Sequence, residues 1–280
     1  NTSTTGNINA SSFATKTDFA TGNQPVSVAT GDVDGDGIPE IAATNDNSNT
    51  VSVFQITTPL STAHSWQCAK RPDVELAPYT NPSISTDGNG NTYVTGAFVG
   101  TATFATLPSP TILTSAGEAD VFIAKYDASG NVLWAKRAGG THSDAAYSIK
   151  YDGFGNLYVA GYFVESTNFD GTIITNPVLN SSNVFLARYN ATTGNFLWVR
   201  HGAGDDGYTR QAFDVAVDQY GDAYITGEFG GNTTTFGSLP PLSSANRWWD
   251  VFVVKYNSAG VVQWQTSVGT LDAGYNGEGG

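Results

Sequence analysis

Short runs of β-branched and aromatic residues set the rhythm of this chain. Val121–Tyr126, Val184–Tyr189 and Val251–Tyr256 are apolar at nearly every position, each interrupted by one basic residue, Lys125, Arg188 or Lys255. A run that is apolar on both faces predicts a strand covered on both sides. Each run leads into a turn containing Gly130, Gly194 or Gly260, where glycine supplies the positive φ of a hairpin connection. Upstream of each run, Asp87, Asp152 and Asp218 open Gly-containing turns that feed Tyr93, Tyr158 and Tyr224. No window sustains an apolar period of 3.6 residues, so no long helix is predicted.

The landmarks recur at one spacing. Tyr93, Tyr158 and Tyr224 stand 65 and 66 residues apart, and Trp134, Trp198 and Trp264 stand 64 and 66 apart. His64 to Arg71, with Trp66, echoes Trp134-Ala135-Lys136-Arg137 and supplies an earlier copy of the outermost strand. A fixed period over strands and turns marks a repeat architecture. Four or so antiparallel strands per unit, repeated radially, predict an all-β fold: a β-propeller of about four blade-like repeats of roughly 65 residues. A β-solenoid ranks second, since it would use a shorter period. The units fall at about 22–71, 81–138, 146–202 and 211–268. Residues 1–71, with an edge strand at Ser12–Ala20, and residues 72–280 are expected to form one continuous domain.

Composition narrows the function. Twenty-five acidic residues against 12 Lys and Arg give a net charge of −13. No basic stripe is available to replace counterions, which argues against nucleic acid and anionic membrane surfaces as partners. Nothing approaches 18 consecutive apolar residues, so no membrane insertion is expected. Cys68, the one cysteine, excludes an intrachain disulfide and a Cys-based zinc site, and reads as a small buried apolar residue. No methionine is present, even at position 1. The expectation is a chain that starts after processing or is cut from something longer.

The densest chemistry is Gly31-Asp32-Val33-Asp34-Gly35-Asp36-Gly37-Ile38-Pro39-Glu40. Carboxylates alternate with small residues, so the backbone can curl until Asp32, Asp34, Asp36 and Glu40 converge, with the Ile38 carbonyl among them. Hard oxygen donors in a tight loop suit Ca2+, and three crowded aspartates would repel one another without a cation. An EF-hand is excluded, because Ala43 stands where that loop needs a bidentate Glu and strands flank the segment. With Phe19-Ala20-Thr21-Gly22, Pro25-Val26-Ser27-Val28-Ala29 and Asn49-Thr50-Val51-Ser52-Val53-Phe54, the loop resembles the VCBS/FG-GAP repeat of integrin-α-like propellers. The resemblance implies calcium at Asp32, Asp34, Asp36, the Ile38 carbonyl and Glu40. The eponymous Phe-Gly and Gly-Ala-Pro pairs are absent, and Glu40 stands where Asp is commoner.

The three later units resemble SBBP-type β-propeller repeats of secreted bacterial surface proteins. The shared marks are Asp120-Val121-Phe122, Asp250-Val251-Phe252, Gly139-Gly140 after Trp134, and Asp-x-x-Gly-Asn/Asp before Tyr-Val/Ile. The tryptophans recur at one strand position in every unit, as residues packed between blades do. Trp248 and Trp249 occur in the last unit only and read either as a filler between blades or as an exposed pair, which makes them the candidate ligand-binding residues. Enzymatic constellations are weak: His64, His142 and His201 share no metal spacing, Ser143-Asp144 near His142 is a triad by free choice, and Asp205-Asp206 reads as a solvated turn. Asp87 to Asn91 reads as a hairpin turn rather than a second cation site.

The expected protein is therefore a secreted or cell-surface, calcium-stabilised, non-enzymatic propeller serving adhesion, ligand binding or assembly of an extracellular structure. Its expected partners are other protein subunits or cell-surface glycans, with self-association through strand edges. The competing reading is a lectin or carbohydrate-active enzyme with a site on the propeller face. Propellers host many activities, so the fold alone does not choose. The terminal strands are expected to belong to a longer parent chain or to a head-to-tail assembly.

Overall fold

The computed structural model describes residues 25–31, 40–45, 50–54, 76–77, 82–105, 108–204, 206–244 and 249–269. Among these residues every regular element is a strand. The edge strand expected at Ser12–Ala20, the strand around Trp66 and Cys68 lie outside them.

The strands form four antiparallel units in chain order. The first is β1 (Pro25–Gly31), β2 (Glu40–Asn45) and β3 (Thr50–Phe54), paired in that sequence. The second contains β4 (Ser83–Thr86), β5 (Thr92–Phe98), β6 (Thr101–Phe104), β7 (Thr111–Thr114), β8 (Asp120–Tyr126) and β9 (Val132–Gly140). Its main sheet runs β4-β5-β8-β9, and β6-β7 is a separate hairpin between the second and third sheet strands. The third unit repeats this plan with β10 (Ala145–Tyr151), β11 (Asn156–Val164), β12 (Ser166–Phe169), β13 (Thr172–Thr175), β14 (Ser182–Asn190) and β15 (Phe196–Ala203). The fourth does so with β16 (Arg210–Val217), β17 (Ala223–Phe229), β18 (Thr233–Phe236), β19 (Leu242–Ser243), β20 (Asp250–Tyr256) and β21 (Val262–Val268).

Each inserted hairpin of the last two units reaches back to the unit before it. Thr167 and Asn168 of β12 pair with Gly140 and Gly139 of β9, and Thr235 and Phe236 of β18 pair with Ala203 and Gly202 of β15. Two glycines at the end of β9 make this approach feasible. A β-carbon on Gly140 would lie 1.9 Å from the Ser166 carbonyl oxygen, and one on Gly139 would meet the Asp120 carboxylate at 2.1 Å.

The core lies between consecutive sheets. Tyr93, Val121 and Ile123 of the second unit pack with Ile149, Leu157 and Phe185 of the third. Tyr158, Ala160 and Val184 of the third pack in turn with Val215, Ile225 and Phe252 of the fourth. β5 and β8 are consequently buried at every position. This is the two-sided covering that the uninterrupted apolar runs predict.

The basic residue inside each run has a structural role. Lys125 lies over the ring of Tyr93 at 5.3 Å, Arg188 over Tyr158 at 5.3 Å and Lys255 over Tyr224 at 4.9 Å. Each also belongs with the aspartate of its own unit's first turn. Arg188 reaches Asp152 and Lys255 reaches Asp218, both at 3.4 Å. A cation over an aromatic face beside a carboxylate is compensated within its own unit.

Candidate functional site

The expected calcium loop lies in the β1–β2 connection. Gly31 faces Glu40 in the antiparallel register, so residues 32–39 leave and rejoin the sheet at one paired position. Asp32, Asp34, Asp36 and Ile38 lie outside the described residues, and Glu40 is described in its backbone only. Among the described residues no group of three or more acidic, His or Cys side chains is arranged to hold a metal.

The inner strands of the four units meet around one polar groove. Residues Ser27–Thr30 of β1, Ser83–Thr86 of β4, Ser148–Tyr151 of β10 and Asp214–Ala216 of β16 line a cavity of about 410 Å3. β4 packs against β1, β10 against β4 and β16 against β10. Hydroxyls stitch these neighbours together. The Ile149 amide donates to Ser83 Oγ at 3.3 Å, the Tyr151 amide to Ser85 Oγ at 3.0 Å and the Val215 amide to Ser148 Oγ at 3.2 Å. Ser148 Oγ donates in turn to Asp214 Oδ1 at 2.6 Å. One sequence position therefore presents Ser27, Ser83, Ser148 and Asp214 to the groove. Such a lining offers hydrogen bonds and one carboxylate. The carboxylate is Asp214, which accepts from the Ser148 hydroxyl and from the Val215 amide.

Away from the groove, the candidate catalytic groups are engaged elsewhere. Ser143 Oγ donates to Glu118 at 2.7 Å, and His142 Nδ1 lies 3.3 Å from Glu165. Asp144 points inward, away from both. It accepts from the Gly140 amide at 2.7 Å, the Val164 amide at 3.1 Å and the Thr167 hydroxyl at 2.6 Å, fastening the β12 hairpin to β9. Burial pushes its carboxyl up to about 7, against the hydrogen bonds from Thr167, Val164 and Gly140, with Asp120 adding to the rise. Arg210 takes the same place at the next junction. It donates to Asp206 Oδ1 at 2.6 Å and to the Thr233 carbonyl at 2.7 Å. Asp205 lies outside the described residues, and Asp206 is committed to this ion pair.

The turn acids are saturated as well. Asp87 Oδ1 accepts from the Asn89 amide at 2.9 Å and the Asn91 amide at 3.0 Å, and Oδ2 accepts from the Tyr93 hydroxyl at 2.8 Å. Burial raises its carboxyl, yet the bonds from Asn91, Tyr93 and Asn89 together hold it below the usual range. Asp152 and Asp218 make the same amide contacts in their own turns. The repeated acid is thus a turn-forming acceptor, as a hairpin reading requires.

Trp134 and Trp198 are half-buried against the next unit. Gly194 of the third unit approaches Trp134, and Trp198 Nε1 donates to the Ser258 carbonyl of the fourth at 3.3 Å. Trp264 departs from the expected burial at 43% exposure, because no described sheet follows the fourth unit and covers it. Of the candidate ligand pair, Trp248 lies outside the described residues, while Trp249 is 49% exposed. Sequence reasoning missed a second cavity, about 660 Å3, bordered by Ile174, Arg200, His201, Tyr256 and Val261. It forms only where the β15 edge meets the hairpins of two units, so no local sequence signal marks it.

Comparison with known proteins bears on the fold. The FG-GAP repeat family matches residues 25–54, the segment that carries the acidic loop. The chain is also similar to an uncharacterised WD repeat-containing protein of Acanthamoeba polyphaga mimivirus, with 30% identity over 231 residues. That alignment takes in 69% of this chain and 16% of the viral protein, so the chain spans a small part of that relative's length. An FG-GAP repeat is present at residues 25–54, and the all-β sheets around one groove are consistent with a β-propeller.

Proposed function

We propose that this chain is a calcium-stabilised β-propeller of four blades that acts as a non-catalytic binding and assembly module outside the cell. The observation that carries this reading is the array of four similar sheets whose inner strands line one polar groove. The acidic loop adds the metal: its ends are tied at Gly31 and Glu40, and five oxygen donors in so short a connection suit Ca2+. The extracellular placement rests on the resemblance of residues 81–268 to SBBP-type repeats of secreted surface proteins. Protein subunits or glycans are the partners suited to an acidic surface of net charge −13.

Calcium titration followed by thermal melting tests the proposal. A ligand bound only to the folded state adds about 2.7 kcal/mol at a free concentration a hundredfold above its Kd. Chelation is expected to lower the melting temperature, and Asp34→Ala to remove the difference. An unchanged melt with and without chelator would sink the calcium reading. The exposure of Trp249 favours one alternative, a lectin whose sugar stacks on that ring. Glycan-array binding abolished by Trp249→Ala would put that function first.

A further inference from the structure

The third and fourth units differ at one repeated position. In the third, Phe196 pairs with Tyr189 in the β14–β15 register, and its ring lies 5.7 Å from Tyr189 and 6.2 Å from Phe169 of the inserted hairpin. In the fourth, Val262 pairs with Tyr256, and Phe236 is the hairpin phenylalanine. A valine in place of a phenylalanine leaves space. The cavity of about 660 Å3 between the two units lies here, bordered by Val262, Tyr256 and Gly237. Its volume is that of a small-molecule site. Gly237 and Ser238 on its border are exposed, so among the described residues it opens to solvent.

Charge changes along with shape. Asp170 follows Phe169 in the third unit, whereas Gly237 follows Phe236 in the fourth. Burial raises the hydroxyls of both tyrosines; Asp170 adds to the rise at Tyr189, while Arg200 works against it at Tyr256. The Arg200 guanidinium is fixed by three carbonyls. Its Nε donates to Gly260 at 2.9 Å, Nη1 to Val199 at 2.8 Å and Nη2 to Ala259 at 3.2 Å. Carbonyls orient a guanidinium without neutralising it, and its remaining N–H groups are left for a ligand. Among the described residues Arg200 has no carboxylate partner, and the hydroxyl of Tyr256, a residue only 2% exposed, makes no hydrogen bond. His201 joins Arg200 on the border, and no described Asp or Glu does. In a chain of net charge −13, a cavity lined by a guanidinium and an imidazole without an acid favours an anion.

We propose that this cavity binds a small organic carboxylate with an aliphatic body, its anionic end at Arg200 and Tyr256 and its chain against Ile174, Val199 and Val262. The proposal gives the binding module above a ligand class, and it does not depend on the calcium loop.

Isothermal titration calorimetry with octanoate, and with 1-octanol as the uncharged control, tests this. The wild-type chain is expected to bind one octanoate with a Kd at or below about 1 mM, a modest demand on a ligand of this size. 1-Octanol should bind at least about tenfold more weakly, because it lacks the charge-assisted bonds. Two variants carry the third unit's residues into the site. Val262→Phe supplies the ring that Phe196 provides there. Gly237→Asp supplies the carboxylate: a β-carbon at Gly237 would lie 3.1 Å from Val262, and its φ of 58° is close to the 49° that Asp170 adopts. Each is expected to weaken octanoate at least about tenfold, with thermal melts showing that both fold. Arg200→Gln should remove the preference for octanoate over 1-octanol. Three results overturn the proposal: no saturable octanoate binding, equal affinity for octanoate and 1-octanol, or binding unchanged in either folded variant. A chain that ignores octanoate but whose melt still responds to calcium overturns this site and leaves the calcium-stabilised module standing.

Discussion

The Thr167 hydroxyl donates to Asp144 at 2.6 Å, and neither side chain is reached by solvent. This contact joins a hairpin of one sheet to the loop leaving the sheet before it, and it places a carboxylate where water cannot solvate its charge. Burial lifts the Asp144 carboxyl to about 7. The folded protein then keeps a proton that the unfolded chain releases from about pH 4, so this group lowers stability as pH rises from about 4 to 7. Above that window its effect is constant. Asp144→Asn resembles the protonated form. It is expected to match the wild type near pH 4 and exceed it by about 2–4 kcal/mol above pH 7, in urea midpoints taken across that range.

Asp87 has the opposite sign. Its carboxyl is held low, so its contribution is complete above the unfolded value near 4 and disappears as pH falls through the folded one. Asp87→Ala strands the Asn89 and Asn91 amides, which converge on one oxygen. The expected cost at neutral pH is about 1–3 kcal/mol, narrowing on acidification.

Gly140 and Gly88 separate packing from propensity. A β-carbon at Gly140 would strike the Ser166 carbonyl oxygen at 1.9 Å, while one at Gly88 would meet nothing within 4 Å. Gly140→Ala is expected to lift the β12 hairpin off β9 and cost at least about 2 kcal/mol. Gly88→Ala should stay within about 0.5 kcal/mol of the wild type. Equal melting temperatures for the two variants would show that the hairpin contact is not a stabilising feature.

The tryptophans differ by position. Trp198 meets Tyr158 edge-on at 5.9 Å, lies beside Arg200 at 5.1 Å and donates across to Ser258. Trp198→Ala is expected to cost about 3 kcal/mol, near the low end for a large aromatic. Trp264, at 43% exposure and with no described sheet over it, should cost less than about 1.5 kcal/mol. Denaturant midpoints of the two variants, compared at one concentration, test the difference.

Much of the architecture is legible along the chain because it depends on neighbours in sequence. Runs such as Val121–Tyr126 announce strands buried on both faces, and Asp87, Asp152 and Asp218 announce turns, since an aspartate accepting amides two and four residues on is a local event. The spacing of Tyr93, Tyr158 and Tyr224 announces repetition, and the all-β character follows from it. The acidic segment at residues 32–40 is equally visible, because alternate carboxylates in a short loop repel unless something draws them together. Tertiary structure alone decided where these pieces meet. Asp144 and Arg210 occupy one place in successive units, yet the first holds a hairpin through a lone carboxylate and the second through an ion pair with Asp206. Nothing in the adjoining residues foretells either partner. Trp198 and Trp264 likewise share a strand position, and their burial differs because covering a face requires another sheet. The groove at Ser83, Ser148 and Asp214 arises in the same way: four strands far apart in sequence become neighbours only when their sheets stack. Local pattern determines what a segment is, and long-range packing determines what it touches, because burial and charge compensation depend on groups tens of residues away.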